Sequence, residues 1–175
     1  MLRLMLDEIQ EGISSLDMEC NPQDIDLEFD GVIFIGKVFI KPSIFRQASK
    51  VYIKSIISTN IEMECSRCLE PVPVKLNAIS EVQYFPLPKL AKDRIDDIGI
   101  GYYSEEYIDI SDEIRESLIL EIPMTVLCSE DCKGLCPHCG KNLNYGKCNC
   151  SEPDYLNEES PVILRLLELK RKLEV

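Results

Sequence analysis

Six cysteines, Cys128, Cys132, Cys136, Cys139, Cys148 and Cys150, crowd into one short stretch, and a further pair, Cys65-Ser66-Arg67-Cys68, stands upstream. Nothing else in the chain restricts its folding so strongly, because thiols at such spacings either oxidise in pairs or converge on a metal. The tripeptide Cys148-Asn149-Cys150 argues against simple disulfides, since a bridge between positions that close is strained. The opening residues, Met1-Leu2-Arg3-Leu4-Met5-Leu6-Asp7-Glu8, meet acidic groups too early for the apolar middle of an export signal. We therefore expect a reducing, cytoplasmic setting, in which clustered cysteines read as metal ligands. The total of nine is odd, which fits eight ligands and one spare thiol. Cys20, alone among acidic and apolar residues, is the spare and reads as an ordinary small hydrophobe.

Zinc takes four ligands in a tetrahedron, and each close pair of cysteines can supply two of them. Cys136-Pro137-His138-Cys139-Gly140 has the form of a zinc knuckle, its glycine letting the backbone turn so that N–H groups face sulfur. The expected pairing joins Cys136 and Cys139 with Cys148 and Cys150 in one compact site. Cys65 and Cys68 then join Cys128 and Cys132 in a second. About two structural zinc ions follow. Arg67, Lys133, Lys141 and Lys147 lie among the ligands, where they offset negative charge and are candidate contacts for RNA or a partner. Disulfides, an iron–sulfur cluster and a redox role for Cys65 and Cys68 are the competing readings. No thioredoxin-like unit surrounds that pair. A catalytic zinc keeps a water and usually takes histidine or carboxylate ligands. The single histidine, His138, sits inside the knuckle and reads as an exposed turn residue. With no phosphate loop, dinucleotide fingerprint or nucleophile elbow, we expect no enzyme and no small-molecule substrate.

The rest of the chain reads as an α+β protein. Val32-Ile33-Phe34-Ile35 and Val38-Phe39-Ile40 flank Gly36-Lys37 as a turn or bulge. Runs at Val51–Ile57, Ile61–Glu64, Val72–Leu76 and Ile79–Phe85 are rich in β-branched and apolar residues with partial alternation. Pro71 and Pro73 push their run toward an edge or a strand start. An antiparallel β-meander or partial barrel is the simplest assembly, giving a mainly β core domain over 1–127. Within it, residues 86–109 read as a solvated acidic insertion. A helix follows at about 111–122, capped by Ser111 or Asp112 and stopped by Pro123. Residues 128–150 form the zinc-knuckle module. Residues 151–175 form an acidic linker and a C-terminal helix, with Ser160 as cap, Pro161 in its first turn and Ile163, Leu166, Leu167 and Leu173 along one stripe.

Charge narrows the function. The formal net charge is −12, from 19 basic and 31 acidic residues, and eight thiolates with two zinc ions would deepen it to about −16. Such a chain is repelled by nucleic-acid phosphates at long range, so basic proteins are its more natural partners. A zinc-stabilised DNA-binding regulator is the alternative, but its only dense basic stretch is Lys170 to Lys172. No apolar stretch approaches the roughly 20 residues of a membrane span.

The sequence also resembles a known family. Cys65-Ser66-Arg67-Cys68-Leu69, a run of strands, an acidic stretch, a helix ending in Leu120-Glu121-Ile122-Pro123, and the run from Cys128 through Cys132-Lys133-Gly134-Leu135-Cys136-Pro137, Cys139-Gly140 and Asn142-Leu143-Asn144 to Cys148 and Cys150 are similar to the YceD family. Its members are large ribosomal RNA subunit accumulation proteins. The resemblance covers nearly the whole chain. It implies a bacterial cytoplasmic factor for synthesis, processing or stability of large-subunit (23S) ribosomal RNA and for ribosome biogenesis. It implies no catalytic residues, and partners among large-subunit ribosomal proteins or rRNA-processing factors.

Overall fold

The computed structural model describes residues 2–88, 97–103 and 106–150. The C-terminal helix expected from Ser160, and the basic stretch Lys170 to Lys172, lie outside them. The chain divides into two compact units, one of Met1–Cys65 with Glu70–Cys128 and one of Ser66–Leu69 with the residues from Ser129 on.

In the first unit, eight strands, one α-helix and one short 3-10 helix (Pro22–Ile25) account for the regular structure among the described residues. The strands are β1 (Arg3–Met5), β2 (Gly12–Ser15), β3 (Met18–Cys20), β4 (Val32–Gln47), β5 (Lys50–Glu64), β6 (Pro71–Pro86), β7 (Ile100–Tyr103) and β8 (Tyr107–Asp109). The helix is α1 (Ser111–Leu120). The six short apolar runs of the sequence are thus three long strands. Ser58-Thr59-Asn60 and Asn77-Ala78 do not interrupt them, because both stretches stay in register with a neighbouring strand. Gly36 marks a bulge rather than a turn. Between Ile35 and Phe39 the register slips while the partner moves only from Asn60 to Ser58, so two extra residues are absorbed and the in–out alternation is kept.

The large sheet is mixed and open, in the order β2-β4-β5-β6-β7 with β3 also on β4. It is not a closed barrel. Nor is it a pure antiparallel meander, because β7 runs parallel to β6, from Gln83 opposite Ile100 to Pro86 opposite Tyr103. The connection between them is of about the dozen residues a parallel return needs, where a hairpin would impose antiparallel pairing. Two short strands, β7 and β8, fall inside the stretch 86–109 read as an acidic insertion. Tyr and Ile in those strands outweigh the acidic composition around them. β8 pairs with β1 as a separate two-stranded sheet, Leu4 opposite Ile108.

Strict alternation turns one face of the sheet inward. Val38, Ile40 and Ile44 of β4, Val51, Ile53, Ile57 and Ile61 of β5, and Leu76, Ala78, Val82 and Tyr84 of β6 are buried. They pack in one core with Ile25 and Leu27, with Leu2, Leu4, Ile108 and Ile110 around the small sheet, and with Ile114 and Leu118 of the helix. The helix starts one residue earlier than a Ser111 cap would allow, since Ile110 occupies the cap position without a side-chain bond. The Ser111 hydroxyl instead donates to Asp109 Oδ1 at 2.6 Å and accepts from the Leu2 N–H at 2.6 Å, fastening the N-terminal strand. The helix stops at Leu120, short of Pro123, as the restricted residue before a proline dictates.

Tyr84 fills the middle of the core, and its hydroxyl is buried without a hydrogen bond of acceptable geometry. Burial raises both this hydroxyl and the neighbouring Glu113 carboxyl. The ring lies over Gly101, its partner in β7, where an added Cβ would sit 2.5 Å from Tyr84 Cε1. Gly101→Ala should therefore destabilise the protein by about 1–3 kcal/mol, as overpacking does. Thermal unfolding of the variant checks this, and an unchanged midpoint would mean the ring moves freely.

Candidate metal centres

Each C-x-x-C pair is held by the same turn. The Cys65 N–H donates to the Glu70 carbonyl at 2.8 Å, and the Cys136 N–H donates to the Lys141 carbonyl at 2.8 Å. The residue after the second cysteine adopts a left-handed backbone in both, with φ of 61° at Leu69 and 70° at Gly140. Glycine takes that conformation freely, while leucine pays about 1–2 kcal/mol, so the first turn is strained where the second is not. In the second turn the Gly140 N–H closes back on the Cys136 carbonyl at 2.9 Å.

The sulfurs gather as the spacing predicts. Cys136, Cys139, Cys148 and Cys150 have all their Sγ atoms within 4.8 Å of one another, and so do Cys65, Cys68, Cys128 and Cys132. A tetrahedral thiolate site with bonds of about 2.3 Å places its sulfurs about 3.8 Å apart, so either quartet could close on an ion by small movements. Four soft thiolates with no carboxylate suit zinc or an iron–sulfur centre and disfavour magnesium or calcium. Among the described residues no disulfide joins any of the cysteines. Cys20 belongs to neither quartet; it is buried in the core, and burial raises its thiol.

The two quartets differ in exposure. Cys65, Cys68 and Cys132 are buried with only Cys128 exposed, whereas Cys139 and Cys150 are both exposed. Donors surround the sulfurs. The Cys128 N–H points at Cys65 Sγ at 3.4 Å, and Asn144 Nδ2 at Cys132 Sγ at 3.4 Å. Backbone N–H groups of Cys139 and His138 pull the Cys136 thiol down to about 6, while the crowding sulfurs of Cys139 and Cys136 push Cys150 up to about 12. His138 is itself exposed, and its contribution is the backbone amide.

Asn144 is the residue that spacing alone did not single out. Its side-chain oxygen accepts from the Lys133 N–H at 2.8 Å while its amide faces Cys132 Sγ, so it links a ligand to the loop beside it. Gly134, with φ of 72°, lets the chain pass so near Arg67 that a Cβ would lie 3.0 Å from the Arg67 carbonyl oxygen. That oxygen accepts from the Leu135 N–H at 3.0 Å. Of the four cations near the ligands, Arg67 Nη1 donates to the Cys132 carbonyl at 3.0 Å and Lys141 Nζ to the Lys147 carbonyl at 2.9 Å. Lys133 and Lys147 are exposed.

The family model described as large ribosomal RNA subunit accumulation protein YceD matches residues 53–170, a span that includes both quartets. The chain belongs to the YceD family. Among curated relatives of this YceD-family chain, an uncharacterised protein of Mycobacterium tuberculosis is 33% identical over 108 residues, covering 61% of this chain and 49% of its own. The chloroplastic large ribosomal RNA subunit accumulation protein YCED homolog 1 of Arabidopsis thaliana is 26% identical over 144 residues, covering 67% and 44%. The uncharacterised protein YlbN of Bacillus subtilis is 29% identical over 159 residues, covering 83% and 88%. The chain thus spans about half the length of the mycobacterial and plant relatives. No solved structure matches it. Among the described residues, no helix is long and apolar enough to cross a membrane.

Proposed function

We propose that the chain is a non-catalytic cytoplasmic factor that sustains the amount of large-subunit ribosomal RNA. It acts by binding ribosomal proteins or rRNA-processing factors, with two zinc ions holding its cysteine quartets. The match of residues 53–170 to a family described by that role carries the reading. Zinc is the assignment that best suits two all-cysteine quartets with N–H donors at sulfur, because those donors offset the surplus charge of four thiolates. A net charge of −12 favours basic proteins as the main contact. Lys133 and Lys147 are the better candidates for a local contact with RNA or a partner. Arg67 and Lys141 already spend a donor on backbone carbonyls beside the ligands.

The test is co-sedimentation together with RNA accounting. A tagged chain should travel with large-subunit precursors in a sucrose gradient, and cells lacking it should contain less large-subunit RNA relative to small-subunit RNA. A normal ratio in such cells, with the protein confined to the top of the gradient, would end this reading.

A further inference from the structure

We propose that the outward face of the large sheet is a docking platform for single-stranded RNA, built from the rings of Phe45, Tyr52 and Phe85 with Lys41, Lys50 and Lys54 around them. The alternation that buries one face leaves Phe39, Phe45, Tyr52, Ile56 and Ile79 exposed on the other. Phe45 is 45% exposed and Tyr52 38%. These two are directly opposed across β4 and β5. Tyr52 opposes Gln83 on β6, so Phe85 lies two residues further along the next strand on the same face. Neighbouring strands are about 4.8 Å apart, which sets three rings on three successive strands at a spacing successive bases can use.

The charges follow the same two-residue rhythm. Along β4 the outward positions run Phe39, Lys41, Ser43, Phe45, and along β5 they run Lys50, Tyr52, Lys54, Ile56. Lys50 Nζ stands 5.6 Å over the Phe85 ring. On a chain of net charge −12, β4 to β6 carry six basic residues and three acidic ones, and β4 carries no acid at all. Glu81, the acid nearest the rings, is neutralised where it stands. Lys54 Nζ lies 2.6 Å from it and the Tyr52 hydroxyl donates to it at 2.9 Å. Lys41 and Lys50 make no ion pair among the described residues.

Rings that offer a π-face to any base, with cations beside them for the backbone, are how single strands are held without strict sequence preference. A duplex hides its base faces, and a broad sheet cannot enter the deep, narrow major groove of A-form RNA. A protein partner would also cover apolar residues, but it would not require the cation that stands over the Phe85 ring. The platform shares no residue with the cysteine quartets, and it rests on the reading above only in choosing RNA as the polymer.

Fluorescence anisotropy with the full chain tests it. The probe is a labelled uridine oligomer of about 12 nucleotides, within the range one sheet-based domain covers, beside a duplex of equal length. Saturable binding of the single strand should appear at low salt, exceed that of the duplex and weaken as salt rises. Phe45→Ala combined with Tyr52→Ala should weaken it about tenfold or more. Lys41→Ala with Lys50→Ala should flatten the slope of log affinity against log salt by about 1.4. Both pairs are on the surface, so unchanged melting and metal content would show that the fold is kept. No binding at low salt, a preference for the duplex, or equal binding by the ring variant would overturn the platform. So would a large-subunit protein occupying this face in place of RNA. Gradient co-sedimentation of the unmodified chain is read separately: if it persists without oligomer binding, the platform fails and the accumulation reading stands.

Discussion

Purified protein should carry about two zinc ions per chain, and Cys136→Ser and Cys65→Ser should each lose one, with unequal consequences. The quartets can be ranked before the experiment. Cys65, Cys68 and Cys132 are buried, so removing the ion there strands sulfur that must then be desolvated as a thiol or remain charged. Cys65 also follows directly on β5, whose inward residues are the centre of the core. A structural zinc is worth roughly 10–16 kcal/mol in domains that have no other core. Here a large sheet stands beside it, so we expect Cys65→Ser to cost on the order of several kcal/mol. Cys136→Ser should cost distinctly less, because Cys139 and Cys150 of its quartet are exposed. A chelator should strip the exposed quartet first and leave the melting curve nearly unmoved, then strip the buried one with loss of cooperative melting. Metal analysis and thermal unfolding read both steps. A sample that is folded and metal-free as purified, or brown with iron, would defeat the zinc assignment. Equal losses from the two variants would defeat the ranking.

How much of this was legible in the sequence depends on the range of each interaction. Both quartets could be read from spacing alone, because a C-x-x-C turn is local and thiolate chemistry admits few partners. The pairing of Cys65 and Cys68 with Cys128 and Cys132 followed by elimination once the knuckle claimed the other four. Asn144 stood in the motif without a role, because an asparagine near cysteines is ordinary until its amide is found at Cys132 Sγ. In the sheet, β-branched runs disclosed strands but not their lengths. Whether Asn60 or Asn77 interrupts a strand depends on a neighbour that the local pattern does not contain. The parallel return of β7 was hidden for the same reason, behind a composition that reads as an acidic loop. The outward rings were visible as residues yet silent as a surface. Phe45 and Phe85 are distant in sequence, and only the register sets them on one face.

Ile57→Ala should destabilise the protein by about 2–5 kcal/mol, while the same change at the adjacent Ile56 should cost about 1 kcal/mol or less. The two isoleucines share a strand, a composition and nearly the same neighbours in sequence. They differ in the direction the pleat gives them. Ile57 is fully buried between Ile40 and Ala78 on the strands to either side, whereas Ile56 is 54% exposed between Lys41 and Ile79. Truncating the first leaves a cavity in close-packed surroundings that relax only in part, so the lost transfer energy and the lost contacts add. Truncating the second removes only half-wet surface and a small part of the strand preference. Urea unfolding of both variants measures the contrast, and the slope of the transition should stay constant if only stability changes. Equal costs would mean that the outward face is also covered in the folded protein, which would refute an open platform for RNA at the same time. A marked difference supports the inward assignment of every alternate residue from Val51 to Ile61, and with it the outward assignment of Tyr52 and Lys54 on which the platform depends.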